Sequence, residues 1–193
     1  MLGLKLPTDP RWVNIVEKNI DEILTDHAYC EQKAAATAIS LIVSFPEYTE
    51  LVQEMIALVR EEMGHFKMVH DRIIARGQIL GRDRKDEYVV QLLKFFPKGG
   101  SRTTQLIHRL LYAGLIEARS CERFRLLSEE LEDKELADFY HKLMISEAGH
   151  YTMFLKFARQ YGDRNEVSQK WEDLLVYEAN IMKDLSKSGS IHG

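Results

Sequence analysis

The chain has 193 residues, of which 45% are hydrophobic and 29% charged, with a formal net charge of −4. That length suits one domain, 1–193, with a full buried core, and the acidic balance excludes a protein that coats nucleic acid through bulk charge while leaving room for a local basic patch. Two cysteines, Cys30 and Cys121, make a poor disulfide framework, and no leader-like start or bilayer-length apolar run is present, so a reduced, cytoplasmic protein without membrane contact is expected.

In chain order, a short arm ends at Thr8-Asp9-Pro10, a helix-start signal with Asp9 as cap and Pro10 at the first position. From Trp12 to about Ser44, Ile20, Leu24, Ala28, Ala35, Ala38 and Ile42 recur with Glu31 at helical spacing. His27, one turn before Glu31, competes with it as a ligand. A second helix, from about Glu47 to Gly77, places Leu51, Met55, Leu58, Glu62, His65, Val69 and Ile73 on one face, with Glu61 beside that stripe in solvent.

Residues 78–102 break the pattern. A short helix fits Asp86 to Phe96, and Arg82, Arg84, Lys85, Lys94, Lys98 and Arg102 outnumber Asp83, Asp86 and Glu87 by three. A connection this long in a helical bundle is either a hydrated crossover or a functional flap. In the second case its basic residues hold phosphates, and Tyr88, Phe95 or Phe96 serve for packing or stacking. The third helix, from Ser101 or Thr103 to Ser128, carries Ile107, Leu110, Gly114, Glu117, Cys121 and Phe124 in register, with Glu122 off that stripe. A fourth, from about Asp133 to Tyr161, presents Tyr140, Leu143, Glu147, His150, Phe154 and Phe157. A fifth, from about Glu166 to Leu185, shows Leu174, Leu175, Tyr177 and Ile181 and is expected outside the bundle, and 186–193 reads as a frayed end.

The chemistry lies in a segment that occurs twice, Glu62-Met63-Gly64-His65-Phe66 and Glu147-Ala148-Gly149-His150-Tyr151. A carboxylate and an imidazole three residues apart on a helix project from one face, which is a metal-ligand spacing. With 19 Glu and 7 His in 193 residues, roughly 0.7 such matches arise by accident. The duplication is the stronger signal, because a shift of 85 residues also aligns Met68 with Met153 and Gly77 with Gly162. Each copy has a carboxylate upstream, Glu31 before Glu62 and Glu117 before Glu147, and the midpoints of the two pairs fall at Pro46 and Glu132, where the sequence favours turns. Arms of about 15 residues at 1.5 Å each put all four carboxylates roughly 22 Å from their turns.

Four helices delivering one Glu from each of two and Glu-x-x-His from each of the others form the arrangement of di-iron or di-manganese carboxylate bundles. Buried carboxylates without partners repel one another and are costly to desolvate, and two divalent cations remove that cost. Oxygen and imidazole donors suit iron or manganese and lack the thiolates of a structural zinc site. Glu31, Glu62 and His65 are therefore expected to hold one ion and Glu117, Glu147 and His150 the other, with Glu62 and Glu147 bridging and no catalytic residue beyond these ligands.

Over nearly its whole length the chain resembles the ferritin-like di-iron proteins, and more narrowly the bacterial tRNA hydroxylases that act on 2-methylthio-isopentenyl-adenosine. The likeness rests on the Leu-Pro-Thr-Asp-Pro-Arg-Trp opening, the two Glu-x-Gly-His segments and the basic stretch ending Phe-Phe-Pro-Lys-Gly-Gly-Ser-Arg. It implies an all-α, ferritin-like four-helix bundle with a long crossover insertion (78–102) and an additional C-terminal helix (166–185). It also implies two iron ions, O2 as co-substrate, hydroxylation of an isopentenyl methyl in tRNA, two electrons from a separate reductase, and a monomer or small oligomer. The metal motif alone is equally compatible with a ferritin-like iron store or a peroxide-scavenging di-metal enzyme, so the tRNA substrate is an expectation of the resemblance.

Overall fold

Prolines, glycines and acidic caps divide the chain into seven helices among the described residues: α1 (Trp12–Lys18), α2 (Ile20–Ser44), α3 (Thr49–Ala75), α4 (Glu87–Leu93), α5 (Arg102–Glu130), α6 (Lys134–Tyr161) and α7 (Arg164–Leu185). The computed structural model describes residues 3–185 and 191, with no strand among them. The expectation of a frayed end, Ile191 apart, lies outside the described residues. The all-helical class read from the sequence is the one observed. The chain divides into two compact units, Val16–Lys85 and Met1–Ile15 with Asp86–Gly193. The boundary between the units falls within the basic stretch 78–102.

In the first unit α2 and α3 pack as a hairpin. Its turn falls at the expected proline: Phe45 N–H donates to the Leu41 carbonyl at 2.9 Å, and Tyr48 N–H to the Phe45 carbonyl at 3.2 Å. The seven buried residues of α3 are Leu51, Met55, Leu58, Glu62, His65, Val69 and Ile73, the stripe read from spacing. The helix expected from Trp12 to Ser44 is instead broken at Asn19, whose backbone leaves helical geometry at φ −133° and ψ 32°. Within α2, Ile23 and Leu41 are buried, whereas Ile20 and Ile42, expected on the stripe, are half-buried. After α3, Gly77 turns the chain at φ +73°. The segment beyond it lies along α2: a Cβ on Gly81 would stand 3.1 Å from Thr25 Cγ2, Tyr29 donates to the Gly81 carbonyl at 2.9 Å, and Lys33 pairs with Asp83 at 2.6 Å.

In the second unit α5 and α6 form the other hairpin, and α7 packs on α4, α5 and α6. Its turn spans Leu131 to Asp133, where Leu131 is buried and the Asp133 carboxylate accepts from Leu136 N–H at 3.1 Å. Ser101 caps α5 by accepting from Thr104 N–H at 3.0 Å. Five of the six expected stripe positions of α5 are buried, but so is the opposite side of its second half. The N-terminal arm and α7 account for this. Arg119, fully buried on α5, donates to Glu178 of α7 at 2.6 and 2.9 Å, to Glu122 at 3.0 Å and to the Leu6 carbonyl at 3.0 Å. Thr8 donates to Glu122 through N–H at 2.9 Å and through its hydroxyl at 2.7 Å, and the Arg123 guanidinium lies 4.5 Å from the centre of the Trp12 ring.

Candidate metal centre

Each hairpin carries one set of the expected ligands on its buried stripes, because a carboxylate three residues before a histidine on α3 or α6 shares a face with the apolar residues around it. None of Glu31, Glu62, His65, Glu117, Glu147 and His150 is more than 8% exposed. In the first unit Glu31, Glu62 and His65 each offer a donor atom, and these atoms lie within 4.8 Å of one another. His65 Nδ1 is 3.2 Å from Glu62 Oε2 and 3.6 Å from Glu31 Oε2. In the second unit Glu117, Glu147 and His150 bring their donor atoms within the same limit, and His150 Nδ1 is 3.5 Å from Glu147 Oε2. Both imidazoles present Nδ1 to the carboxylate one turn earlier.

Two carboxylates and one imidazole away from water make a strongly anionic site. Burial drives the His65 imidazole down, but the carboxylates of Glu31 and Glu62 outweigh it and push it up to about 10. A proton on that ring does in part what a cation would do. The donor set contains oxygen and imidazole nitrogen and no sulfur, which fits a divalent iron or manganese ion. Cys121, one turn beyond Glu117, stays out of the set: its thiol donates to the Met144 carbonyl at 3.4 Å and is pushed up to about 11, first by burial and then by the Glu147 carboxylate. Glu122, the off-stripe rival of Glu117, bonds Thr8 and Arg119. Glu61 is exposed.

His27 is fully buried, with Nε2 2.7 Å from Glu31 Oε1. The sequence marks it only by its place one turn before a candidate ligand. The Arg119–Glu178 pair went unread for a similar reason, since Glu178 falls at helical spacing from Leu174, Leu175 and Ile181 on an otherwise apolar face.

Of the six basic residues, Arg82, Arg84 and Lys85 belong to the first unit and Lys94, Lys98 and Arg102 to the second; all six are exposed. Arg84 pairs with Glu22 at 2.9 Å. The aromatic residues between them serve packing. Tyr88 is buried and donates to Glu178 at 3.2 Å, Phe95 sits 5.3 Å from the Tyr177 ring, and Phe96 5.2 Å from His108.

The family model described as tRNA-(MS[2]IO[6]A)-hydroxylase (MiaE) matches residues 2–193. A Pseudomonas putida protein named tRNA 2-(methylsulfanyl)-N(6)-isopentenyladenosine(37) hydroxylase is 34% identical over 98% of this chain and 91% of its own length. A Salmonella typhimurium protein of the same name is 29% identical over 81% of this chain and 75% of its own. Among solved structures, a Synechococcus protein described as having aldehyde deformylating oxygenase activity superposes with a TM-score of 0.91 at 32% identity, covering 98% of this chain and 95% of that one. The likeness is to a helical oxygenase of ferritin-like type. No helix among the described residues is long and apolar enough to cross a membrane.

Proposed function

Since the chain belongs to the tRNA-(MS[2]IO[6]A)-hydroxylase family, we propose that it hydroxylates the isopentenyl group of 2-methylthio-isopentenyl-adenosine in tRNA, with 1–193 acting as a single ferritin-like domain in the cytoplasm. The observation that carries the reading is the pair of buried Glu, Glu, His sets, one in each hairpin, each with its donor atoms gathered within 4.8 Å.

We assign Glu31, Glu62 and His65 to one iron ion and Glu117, Glu147 and His150 to a second. The matched ligand spacing in the two hairpins and the likeness to an oxygenase over 98% of the chain support reading both sets as metal ligands. Iron bound there supplies activation of O2. In the overall reaction one oxygen atom enters a C–H bond of the prenyl methyl, the other leaves as water, and two electrons and two protons come from outside, the electrons from a reductase. The protein's own part is to hold six donors in fixed places and to keep water from them. Ala28 and Ala35 lie one turn either side of Glu31 on α2, Leu143 one turn before Glu147 and Phe154 one turn after His150 on α6, and all four are buried. The exposed Arg82, Arg84, Lys85, Lys94, Lys98 and Arg102 are proposed to meet tRNA phosphates.

Nucleoside analysis of tRNA carrying the modified adenosine, after incubation with iron-loaded protein, O2 and a reductant, tests substrate and reaction together. The expected product is the substrate nucleoside heavier by one oxygen, lost in Glu62→Ala and Glu147→Ala. Recovery of only the unchanged substrate nucleoside after incubation with protein that holds iron sinks the assignment. A second reading, oxidative loss of the formyl group from an aldehyde, is favoured by the 32% identity to the Synechococcus oxygenase. Formate release from an aldehyde under the same conditions distinguishes it.

A further inference from the structure

Beyond Gly77 the chain runs from 78 to 86 without regular secondary structure, yet it is held to α2 at several points. Besides the contacts of Gly81 and Asp83 with α2, Arg84 pairs with Glu22 at 2.9 Å, and Arg76, at the end of α3, pairs with Asp21. Between this segment and the first half of α2 lies an open cleft of about 430 Å³, with Asp21, Glu22 and Thr25 on one wall and Ile79, Arg82 and Asp83 on the other. All of these residues belong to the first unit. The volume lies within the range of small-molecule sites, roughly 300–1,000 Å³.

The charged acceptors of the cleft are already matched. Asp21, Glu22 and Asp83 each have a cation, from Arg76, Arg84 and Lys33, and the Thr25 hydroxyl donates to the Asp21 carbonyl at 3.1 Å. The donors, in contrast, are unmatched. Arg82 takes part in no ion pair or hydrogen bond among the described residues, and no backbone N–H from 79 to 84 has a partner there. What the cleft can still take is an anion that accepts hydrogen bonds. Ile79, 83% exposed, adds an apolar surface beside those donors, which a bare phosphate leaves unused. A phosphate joined to a flat ring, as in a nucleotide, uses both.

We propose that this cleft holds one nucleotide of the tRNA, with Arg82 and the neighbouring backbone N–H groups on its phosphate and Ile79 against its base. The proposal rests on the tRNA substrate argued above and gives Arg82 a place in its recognition. The nucleotide is not the modified adenosine. At roughly 3.6 residues per turn, Thr25 and Tyr29, which meet the segment, leave α2 off the Glu31 face, whereas the prenyl group must reach the ligands. A grip on the RNA away from the reacting base sets its register without touching the chemistry. Losing it therefore weakens binding and leaves iron content unchanged.

The test combines hydrogen exchange at short times with tRNA binding followed by fluorescence anisotropy over a range of salt. In wild-type protein, tRNA carrying the modified adenosine is expected to slow exchange of the amides at 79–84. A short single-stranded oligoribonucleotide without that adenosine should slow the same amides. Arg82→Gln should weaken tRNA binding roughly 4-fold at about 0.15 M salt and lower the slope of log affinity against log salt by roughly 0.7, the value for one phosphate of a single strand. Ile79→Ser should weaken binding roughly 3- to 10-fold, for a side chain partly covered by a base, with the slope unchanged. Circular dichroism and iron content check that both variants are intact. Unchanged exchange at 79–84 with tRNA bound overturns the proposal, and that measurement needs no variant to fold. A loss in Arg82→Gln with Ile79→Ser binding as wild type also overturns it, by reducing the nucleotide to a phosphate contact. Wild-type protein that binds no tRNA removes the substrate reading and the cleft's role together, whereas bound tRNA with both variants at wild-type affinity and slope removes the cleft's role alone.

Discussion

At the scale of single residues, the distinction between a candidate ligand carboxylate and a structural one is legible in part. Glu117 and Glu122 lie five positions apart on α5, and helical phase alone separates the one on the Leu110–Gly114–Cys121 stripe from the one beside it. That Glu122 is nonetheless buried, bonded to Thr8 and Arg119, could not be read from spacing, because its partners come from the N-terminal arm and from its own helix. Arg119 is the centre of this group, and its guanidinium offsets the buried charges of Glu122 and Glu178. Burial pushes Glu178 up even with that guanidinium beside it, so losing the partner leaves a carboxylate with little to oppose its desolvation. Replacing Arg119 by Met is expected to destabilise the fold by about 3–5 kcal/mol, measured by urea unfolding. Adding Glu178→Met should recover part of the loss. If the single variant unfolds at the wild-type midpoint, the group is not holding α7 and the arm in place.

At the scale of elements, the period of the apolar pattern located every long helix, and both hairpin turns fell where proline or a polar run interrupts that pattern. The stripe of α3 was complete in the sequence because α3 buries a single face. Along α5 the stripe was correct and insufficient, since the arm and α7 cover a second face. Gly64 and Gly149 pose a different question. Both sit in helix interiors between the Glu and His of the repeated motif, both are exposed, and a Cβ added at either meets nothing within 4 Å. Steric need therefore does not call for glycine at either place. In the metal-free protein Gly64→Ala and Gly149→Ala are each expected to stabilise by about 1 kcal/mol through reduced backbone entropy of the unfolded chain. That corresponds to a rise in melting temperature of roughly 2–4 °C. A fall would mean that the backbone at the motif departs from regular helix.

At the scale of the whole molecule, the proposed tRNA contact is a matter of distributed charge. A chain of net charge −4 engages a polyanion through local basic residues, and the exposed Lys94, Lys98 and Arg102 follow α4 or open α5. Charge reversal at each is expected to weaken tRNA binding, and removal of a phosphate contact to lower the slope of log affinity against log salt by roughly one. Iron content should stay intact. Unaltered affinity and slope in all three variants would remove this stretch from the interface, leaving the metal centre untouched.

The sequence by itself determined the long helices and their turns and singled out the six candidate donors, because helical periodicity and a duplicated Glu-x-x-His motif are local properties that survive without knowledge of the fold. Tertiary structure alone decided that Arg119 joins the arm to α7, that Tyr88 turns inward, and that 78–102 is divided between two units. These are contacts between groups distant in the chain or on a face whose cover comes from elsewhere, and no one-dimensional pattern records which buried polar group will find which partner.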